Sequence, residues 1–126
     1  MNRAKSLYGR RPMTGMKILC VENQPEEMAV LTCMLQGIGY EVMPASNGEQ
    51  AIDMLAKEAI DGILLEYNLP DSSGTAVRTR LKAIRPDIPV LLFNGVSSQT
   101  PFMLRFFDEY LRNRDRIGEG WEDTDL

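Results

Sequence analysis

The sequence predicts an α/β fold built on a parallel β-sheet. Three short runs, residues 18–21, 63–65 and 90–93, are apolar throughout, as expected for strands that are buried on both faces of such a sheet. Segments with a helical spacing of apolar residues alternate with these runs, and short loops join them. This alternation favours right-handed βαβ connections between neighbouring parallel strands.

The first half of the chain predicts two strands with one helix between them. A strand is predicted over residues 16–21, and Pro25 then stands in the first helical turn, where its missing N–H costs no hydrogen bond. Gly37 and Gly39 are typical helix terminators and are predicted to end this helix. Residues 41–45 form the second predicted strand, in which Pro44 suits an edge position because proline cannot donate a ladder hydrogen bond.

The middle of the chain continues the same alternation. Helices are predicted over residues 49–58 and 73–84, since each segment places its apolar residues on one face. Strands are predicted over residues 60–65 and 88–93. A loop rich in Pro, Asp, Ser and Gly follows the strand at 60–65, as expected where the chain turns at the mouth of a sheet.

The segment after Asn94 has two interpretations. Its apolar residues match a helical stripe, but residues 106–111 could instead contain a fifth strand reached by a short loop. We favour a helical start, so the sheet has four or five strands and the last third of the fold is modified. The stripe consists of Met103, Phe106, Phe107, Tyr110 and Leu111.

Composition limits the class of protein. The 126 residues fit one domain, and 44% hydrophobic with 25% charged residues is typical of a globular chain. A net charge of −4 argues against sequence-independent nucleic-acid binding. No window is apolar over the length of a membrane-spanning helix. We therefore expect neither direct contact with nucleic acid nor membrane insertion.

The two ends of the chain differ in charge. We expect a flexible basic tail over residues 1–15, a domain over residues 16–117 and an acidic tail over residues 118–126. Cys20 and Cys33 both lie in apolar segments and suggest no disulfide framework, which fits a cytoplasmic protein.

Missing residues and motifs exclude several kinds of enzyme. The chain has no histidine, which removes the commonest general base and the commonest metal ligand. Neither a G-x-G-x-x-G sequence nor a P-loop is present. We therefore predict that the chain is not an enzyme, and a small α/β enzyme without a recognisable motif remains the alternative.

Polar residues follow three predicted strands at the same edge of the sheet. Glu22 and Asn23 follow the first strand, Glu66 ends the third and Asn94 follows the fourth. The carboxyl ends of parallel strands form the mouth where open α/β sheets bind ligands. Each residue also has a plainer interpretation: Glu22 could cap the next helix, and Asn94 with Gly95 is a common turn pair.

These motifs resemble the receiver domain of bacterial two-component response regulators, which has a flavodoxin-like, doubly wound parallel sheet. The resemblance covers roughly residues 16–94. Glu22 and Asn23 stand where the family has an acidic pair. Glu66 stands where the family has its phosphate-accepting aspartate, ahead of a Leu-Pro-x-x-x-Gly loop. Asn94 replaces the Thr or Ser that ends the fourth strand and serves as a switch.

The resemblance also implies an aromatic switch residue and a lysine at the end of a fifth strand. Tyr110 is the aromatic candidate, and the lysine position then falls on Asn113, with Arg112 beside it. Alternatively, Thr100 begins a Thr-Pro-Phe sequence in place of the family's Lys-Pro-Phe, and the fourth helix and fifth strand are missing. In either case no lysine follows Lys82.

The family accepts a phosphoryl group with the help of Mg²⁺. Glu22, Glu66 and Asn68 are the implied metal ligands, but Asn23 replaces a carboxylate, so we expect a weak or lost Mg²⁺ site. Glu66 is one methylene longer than aspartate, and phosphoryl transfer depends on accurate positioning. We therefore expect a degenerate pseudo-receiver in phosphorelay signalling. A receiver still phosphorylated on Glu66 is the alternative.

The expected partner is a protein, either a histidine kinase or a downstream signalling protein, and a homodimer is a further option. The binding surface would be an apolar patch on the last helical region. We expect this patch to contain Phe102, Phe106, Phe107 and Tyr110.

Overall fold

The computed structural model describes residues 15–117, in which four strands and four helices alternate along the chain. The predicted α/β alternation is confirmed. The strands are β1 (Lys17–Val21), β2 (Glu41–Ala45), β3 (Gly62–Glu66) and β4 (Val90–Phe93). The helices are α1 (Pro25–Ile38), α2 (Gly48–Lys57), α3 (Gly74–Ile84) and α4 (Thr100–Ile117).

All four strands are parallel, and their order across the sheet is β2-β1-β3-β4. The strands β1 and β3 therefore lie at the centre, and every residue of β3 is buried. Pro44 lies on the edge strand β2, opposite Cys20 of β1, as predicted. Because the strands are parallel, their carboxyl ends meet at one edge of the sheet.

Helices cover both faces of the sheet, as in a doubly wound fold. On one face, α1 and α4 pack against alternate strand residues such as Ile18 and Leu64. On the other face, α2 and α3 pack against the intervening residues, such as Leu19 and Leu65. The alternation of side chains along each strand thus divides one apolar sequence between two separate cores.

Both ends of α1 follow from its sequence. Pro25 opens the helix, as predicted, and Gly39 ends it in a left-handed conformation with φ of 119°. The prediction that Gly37 also ends the helix is wrong, because Gly37 lies within its last turn. The Gly39 N–H then donates to the carbonyl oxygens of Leu35 and Gln36, at 3.2 and 3.0 Å. A left-handed residue at this position is a common way to satisfy the last carbonyls of a helix.

The fifth-strand interpretation of residues 106–111 is wrong, because these residues lie inside α4. Residues 94–99 connect β4 directly to α4, without a further helix or strand. Phe107 and Tyr110 are fully buried, so they belong to the core and not to an exposed apolar patch. Phe102, at 66% exposure, is the member of the predicted patch that faces solvent most fully.

Two predictions fall partly or wholly outside this description. The tails predicted over residues 1–15 and 118–126 lie outside the described residues, apart from Gly15.

Within residues 15–117, no helix has the length and apolar character needed to cross a bilayer.

Candidate functional site

Three carboxylates come together at the carboxyl edge of the sheet. Glu22 follows β1, Glu66 ends β3, and Glu27 lies in the first turn of α1. One carboxylate oxygen from each residue lies within 4.8 Å of the other two. Glu22 and Glu66 are only 2% and 4% exposed, whereas Glu27 is half-buried. The cluster therefore opens to solvent on the α1 side.

Two backbone N–H groups hold the carboxylate of Glu66. The N–H of Asn68 donates to Oε2 at 3.0 Å, and the N–H of Gly95 donates to Oε1 at 3.0 Å. The Asn68 side chain also donates to Oδ1 of Asn94 at 3.3 Å. Glu66 thus links the β3–α3 loop to the β4–α4 loop, and each of its carboxylate oxygens already accepts a charge-assisted hydrogen bond.

The β3–α3 loop that carries Asn68 is itself anchored to α2. The carboxylate of Asp71 accepts the N–H groups of Gly48 and Glu49 at 3.0 and 3.1 Å, and these bonds hold the pKa of Asp71 below its usual range. At the end of the loop, Ser73 caps α3 by accepting the N–H of Ala76 at 3.2 Å. The loop is therefore fixed at its middle and at its end.

Glu22 is the acid of the cluster whose pKa is clearly raised. Its Oε2 accepts the N–H of Gln24 at 2.9 Å, next to the start of α1, so it interacts with the helix entrance as well as with the site. Its Oε1 is buried and has no hydrogen-bond partner in the part of the chain that the structure describes. Burial, followed by the neighbouring carboxylates of Glu66 and Glu27, raises the pKa of Glu22 to about 7, against the opposing effect of the Gln24 N–H.

This raised pKa predicts that stability falls as the pH rises. The ordinary pKa of Glu22 is 4.5, so between pH 4.5 and about 7 the folded state binds its proton more tightly than the unfolded state. The stabilisation is complete below pH 4.5 and is lost as the pH passes 7. The change in the pKa of Glu22 from 4.5 to about 7 corresponds to a loss of stability on the order of 3 kcal/mol across this range.

Urea denaturation from pH 4.5 to 8 measures this slope for the wild type and for Glu22→Gln. The amide keeps an oxygen for the Gln24 N–H but does not titrate, so the variant should become more stable relative to the wild type as the pH rises. A constant difference between the two proteins across this range would contradict the raised pKa.

The donor set fits a divalent cation. Carboxylate oxygens are the ligands that Mg²⁺ and Ca²⁺ prefer, and Oε1 of Glu22 is buried without a hydrogen-bond partner among residues 15–113. No lysine or arginine of residues 15–113, whose side chains the structure describes, forms an ion pair with Glu22, Glu27 or Glu66. Three clustered carboxylates without a positive charge are electrostatically unfavourable, and a bound cation would relieve that repulsion.

The remaining residues predicted for the site differ in their burial and their contacts. Asn23 is half-buried in the loop that follows Glu22, and Asn94 is exposed. Thr100 begins α4, close to the β4–α4 loop, and its buried hydroxyl accepts the N–H of Ser97 at 2.8 Å. Thr100 is therefore on the same side of the sheet as Glu66.

Tyr110 and the lysine positions counted from it, Arg112 and Asn113, lie on a different part of α4 from Thr100. Leu111 packs against Gly62, which begins β3 at the edge of the sheet opposite Glu66. Its neighbour Arg112 pairs with Asp108 at 3.2 Å. The Asn113 side chain donates to the carbonyl of Glu109 at 2.9 Å. The structure therefore does not bring Tyr110, Arg112 or Asn113 to the carboxylate cluster.

An apolar cavity of about 330 Å³ lies beside the cluster. The β4–α4 loop and the first two turns of α4 form its walls, and Phe102 contributes an exposed ring. Gly95 lines this cavity and also donates its N–H to Glu66. The lining includes Phe93, Asn94, Gly95, Phe102, Met103 and Phe106.

Sequence reasoning missed two contributors to the site. Glu27 is absent from the site residues that the sequence predicts, since an acid in the first turn of a helix is explained by the positive end of the helix dipole. Its position five residues after Glu22, one turn into a helix that starts at the sheet edge, was the signal that could have identified it. The sequence does not indicate that the Gly95 N–H belongs to the site, because every residue except proline supplies a backbone donor.

A doubly wound parallel sheet with a carboxylate at the end of its central strand and a second acid after the first strand defines a receiver-type signalling domain. The chain matches the family model for the response regulator receiver domain over residues 18–109. It therefore belongs to the response regulator receiver family, as its sequence motifs indicated.

Two relatives show the extent of this similarity. The chain is 34% identical over 83 residues to sporulation initiation phosphotransferase F of Bacillus subtilis, a match that covers 66% of this chain and 67% of the relative. It is 32% identical over 81 residues to the transcriptional regulatory protein ZraR of Escherichia coli K12, covering 64% of this chain. The matched part spans only 18% of ZraR.

Solved structures show the same fold. A CheY-like receiver domain protein from Methanospirillum hungatei superposes with a TM-score of 0.73 and 19% identity, covering 83% of this chain and 100% of that one. The response regulator TrrA of Thermotoga maritima, in complex with Mg²⁺-BeF, gives a TM-score of 0.62 with 26% identity and covers 72% and 79%. TrrA bound to the histidine kinase ThkA gives 0.61 with 29% identity and covers 65% and 71%.

Proposed function

We propose that this receiver domain carries a permanent anion at its phosphate-acceptor position and signals through protein–protein interaction, without ordinary aspartyl phosphorylation. The observation that carries this proposal is the pair of hydrogen bonds from the N–H groups of Asn68 and Gly95 to the two carboxylate oxygens of Glu66. These N–H groups belong to the two loops that flank the acceptor position.

The longer side chain of Glu66 supports the proposal chemically. Its extra methylene carries the carboxylate outwards to the backbone donors, so that the charge of Glu66 itself bridges the two loops. A carboxylate whose oxygens are both held in this way is poorly placed to attack phosphorus, because phosphoryl transfer requires an in-line nucleophile. We therefore assign Glu66 a structural charge and not a covalent role.

We propose Glu22, Glu27 and Glu66 as the carboxylates that would hold Mg²⁺, with Asn68 beside them. When bound, the ion would neutralise the clustered negative charge. The solved complex of TrrA carries Mg²⁺ with BeF, which supports this assignment by similarity. Asn23 supplies an amide where the family has an acid, so the half-buried Glu27 provides the third charge.

Replacing Glu27 by glutamine should weaken Mg²⁺ binding by about tenfold or more, because the site loses one of its three carboxylate ligands. Glu26→Gln is the matched control, since Glu26 is an exposed acid in the same helical turn. Isothermal titration calorimetry with MgCl₂ on both variants measures the difference. Equal affinities would remove Glu27 from the proposed metal site.

Incubation with acetyl phosphate and Mg²⁺, followed by intact-mass spectrometry, tests the proposed function. We expect the wild type to remain unmodified. The receiver domain of a phosphorylatable response regulator serves as the positive control. A phosphoryl adduct that maps to Glu66 would refute the permanent-anion proposal and establish the alternative of a receiver phosphorylated on glutamate.

We propose a histidine kinase or a downstream signalling protein as the partner and the cytoplasm as the location. The complex of TrrA with the histidine kinase ThkA supports the first part by similarity. The chain has no histidine to act as a general base, which supports a signalling module and not an enzyme.

A further inference from the structure

The cavity beside the β4–α4 loop has the dimensions and lining of a binding pocket for an apolar side chain. Its volume of about 330 Å³ is at the lower end of the range for ligand pockets. Phe93, Met103 and Phe106 line it, and Phe102 at its rim is 66% exposed. The exposed ring of Phe102 adds apolar area to the rim of this concave surface, where a partner's side chain could contact it.

The same loop connects this cavity to the carboxylate cluster. Gly95 lines the cavity and donates its N–H to Glu66 at 3.0 Å. Glu27 is the half-buried member of the cluster, and Glu22 has a buried oxygen that accepts no hydrogen bond from the described side chains or backbone. The described side chains, residues 15–113, contribute no lysine or arginine to these three acids. A strongly negative group therefore lies next to an apolar pocket.

We infer that this pocket receives an apolar side chain of a partner protein whose neighbouring lysine or arginine pairs with Glu27. The inference rests on the proposed function and extends it, since it specifies the chemistry of the partner protein that binds the domain. Charge complementarity selects the partner: a basic side chain reduces the repulsion among the three acids, and an acidic one increases it. The apolar side chain supplies the anchor.

The arrangement also gives Glu66 a role in docking. Its carboxylate holds Gly95, and Gly95 forms part of the pocket wall, so the wall depends on the charge at the acceptor position. Mg²⁺ and the partner's basic side chain would compete for the same carboxylates. Binding of the partner should therefore weaken when MgCl₂ replaces NaCl at equal ionic strength.

Selection from a phage library of random peptides on the immobilised 126-residue chain tests the inference. We expect the enriched peptides to combine an aromatic or aliphatic residue with adjacent lysine or arginine. Affinities of the synthesised peptides are then measured by fluorescence anisotropy. Phe102→Ser should weaken binding by about tenfold or more. Glu27→Gln should weaken it by about threefold or more.

Two matched variants serve as controls. Ile84→Ser removes an apolar side chain that is 40% exposed at the end of α3, and Glu26→Gln removes a neighbouring acid. Both should leave the affinity within about twofold. Failure to enrich any peptide, enrichment of acidic peptides, or binding that is insensitive to Phe102→Ser would overturn the inference. A phosphoryl adduct on Glu66 would instead refute the proposed function and leave the peptide result standing.

Discussion

Replacing Phe107 by alanine is expected to lower the free energy of unfolding by about 3–5 kcal/mol. The Phe107 ring is fully buried between α4 and the sheet, in the core that also contains Ile18 and Leu64. Truncation removes apolar area from this core and leaves a cavity that the rigid strands cannot fill by relaxation. Urea denaturation followed by circular dichroism measures the loss.

Phe102→Ala provides the control on the same helix. Phe102 is 66% exposed, so its truncation should change stability by less than about 1 kcal/mol. The contrast between the two phenylalanines tests the orientation of α4 directly. Similar losses for both variants would show that α4 does not bury the face described here.

Gly74→Ala is expected to destabilise the protein by about 2–3 kcal/mol and to disturb the site. A β-carbon on Gly74 would lie 2.7 Å from the carbonyl oxygen of Glu66 and 2.8 Å from Cα of Tyr67. These are backbone atoms and cannot rotate away, so the β3–α3 loop must shift. The Asn68 N–H belongs to this loop, and its bond to Glu66 should therefore lengthen.

Gly37→Ala separates this steric effect from the general effect of replacing glycine. Gly37 lies within α1, and a β-carbon there meets no atom within 4 Å. Alanine is a better helix former, so this variant should gain up to about 1 kcal/mol. Urea denaturation gives both stabilities, and amide chemical shifts of Asn68 and Gly95 report on the site. A neutral Gly74→Ala would disprove the close approach.

The first three strand–helix units were predictable because their local signals agree with the tertiary structure. The apolar runs mark buried strands, and Pro25, Gly39 and Ser73 mark helix ends where the structure places them. Predicted boundaries differ by one or two residues, since end residues such as Ile60 are buried without pairing in the sheet.

The last third was harder because residues 106–111 contain apolar residues that suit either a strand or a buried helix. The choice depends on packing against β1 and β3, which lie far away in the sequence. The same difficulty affects the site. Counting from Tyr110 placed the lysine position on Asn113, whereas the helix that begins at Thr100 carries Asn113 away from Glu66.

Glu22 and Glu66 were predictable site members because the ends of strands can be recognised in the sequence. Parallel strands then bring these ends together at one edge of the sheet. Glu27 lies on a helix, and its distance from Glu66 depends on how α1 packs against the sheet. The backbone donor at Gly95 depends on a loop conformation that no side-chain pattern encodes. Sequence therefore located the site, but folding determined its full set of charges and donors.

The hydrogen bonds between Glu66 and its two loops have a consequence for timing. An acyl phosphate hydrolyses, so a phosphorylated receiver loses its phosphoryl group with time. A phosphate donor must then phosphorylate it again. If the proposed function is correct, the negative charge of Glu66 is present from the synthesis of the chain until its degradation. The duration of the signal then follows the turnover of the protein, and its strength follows the number of copies in the cell.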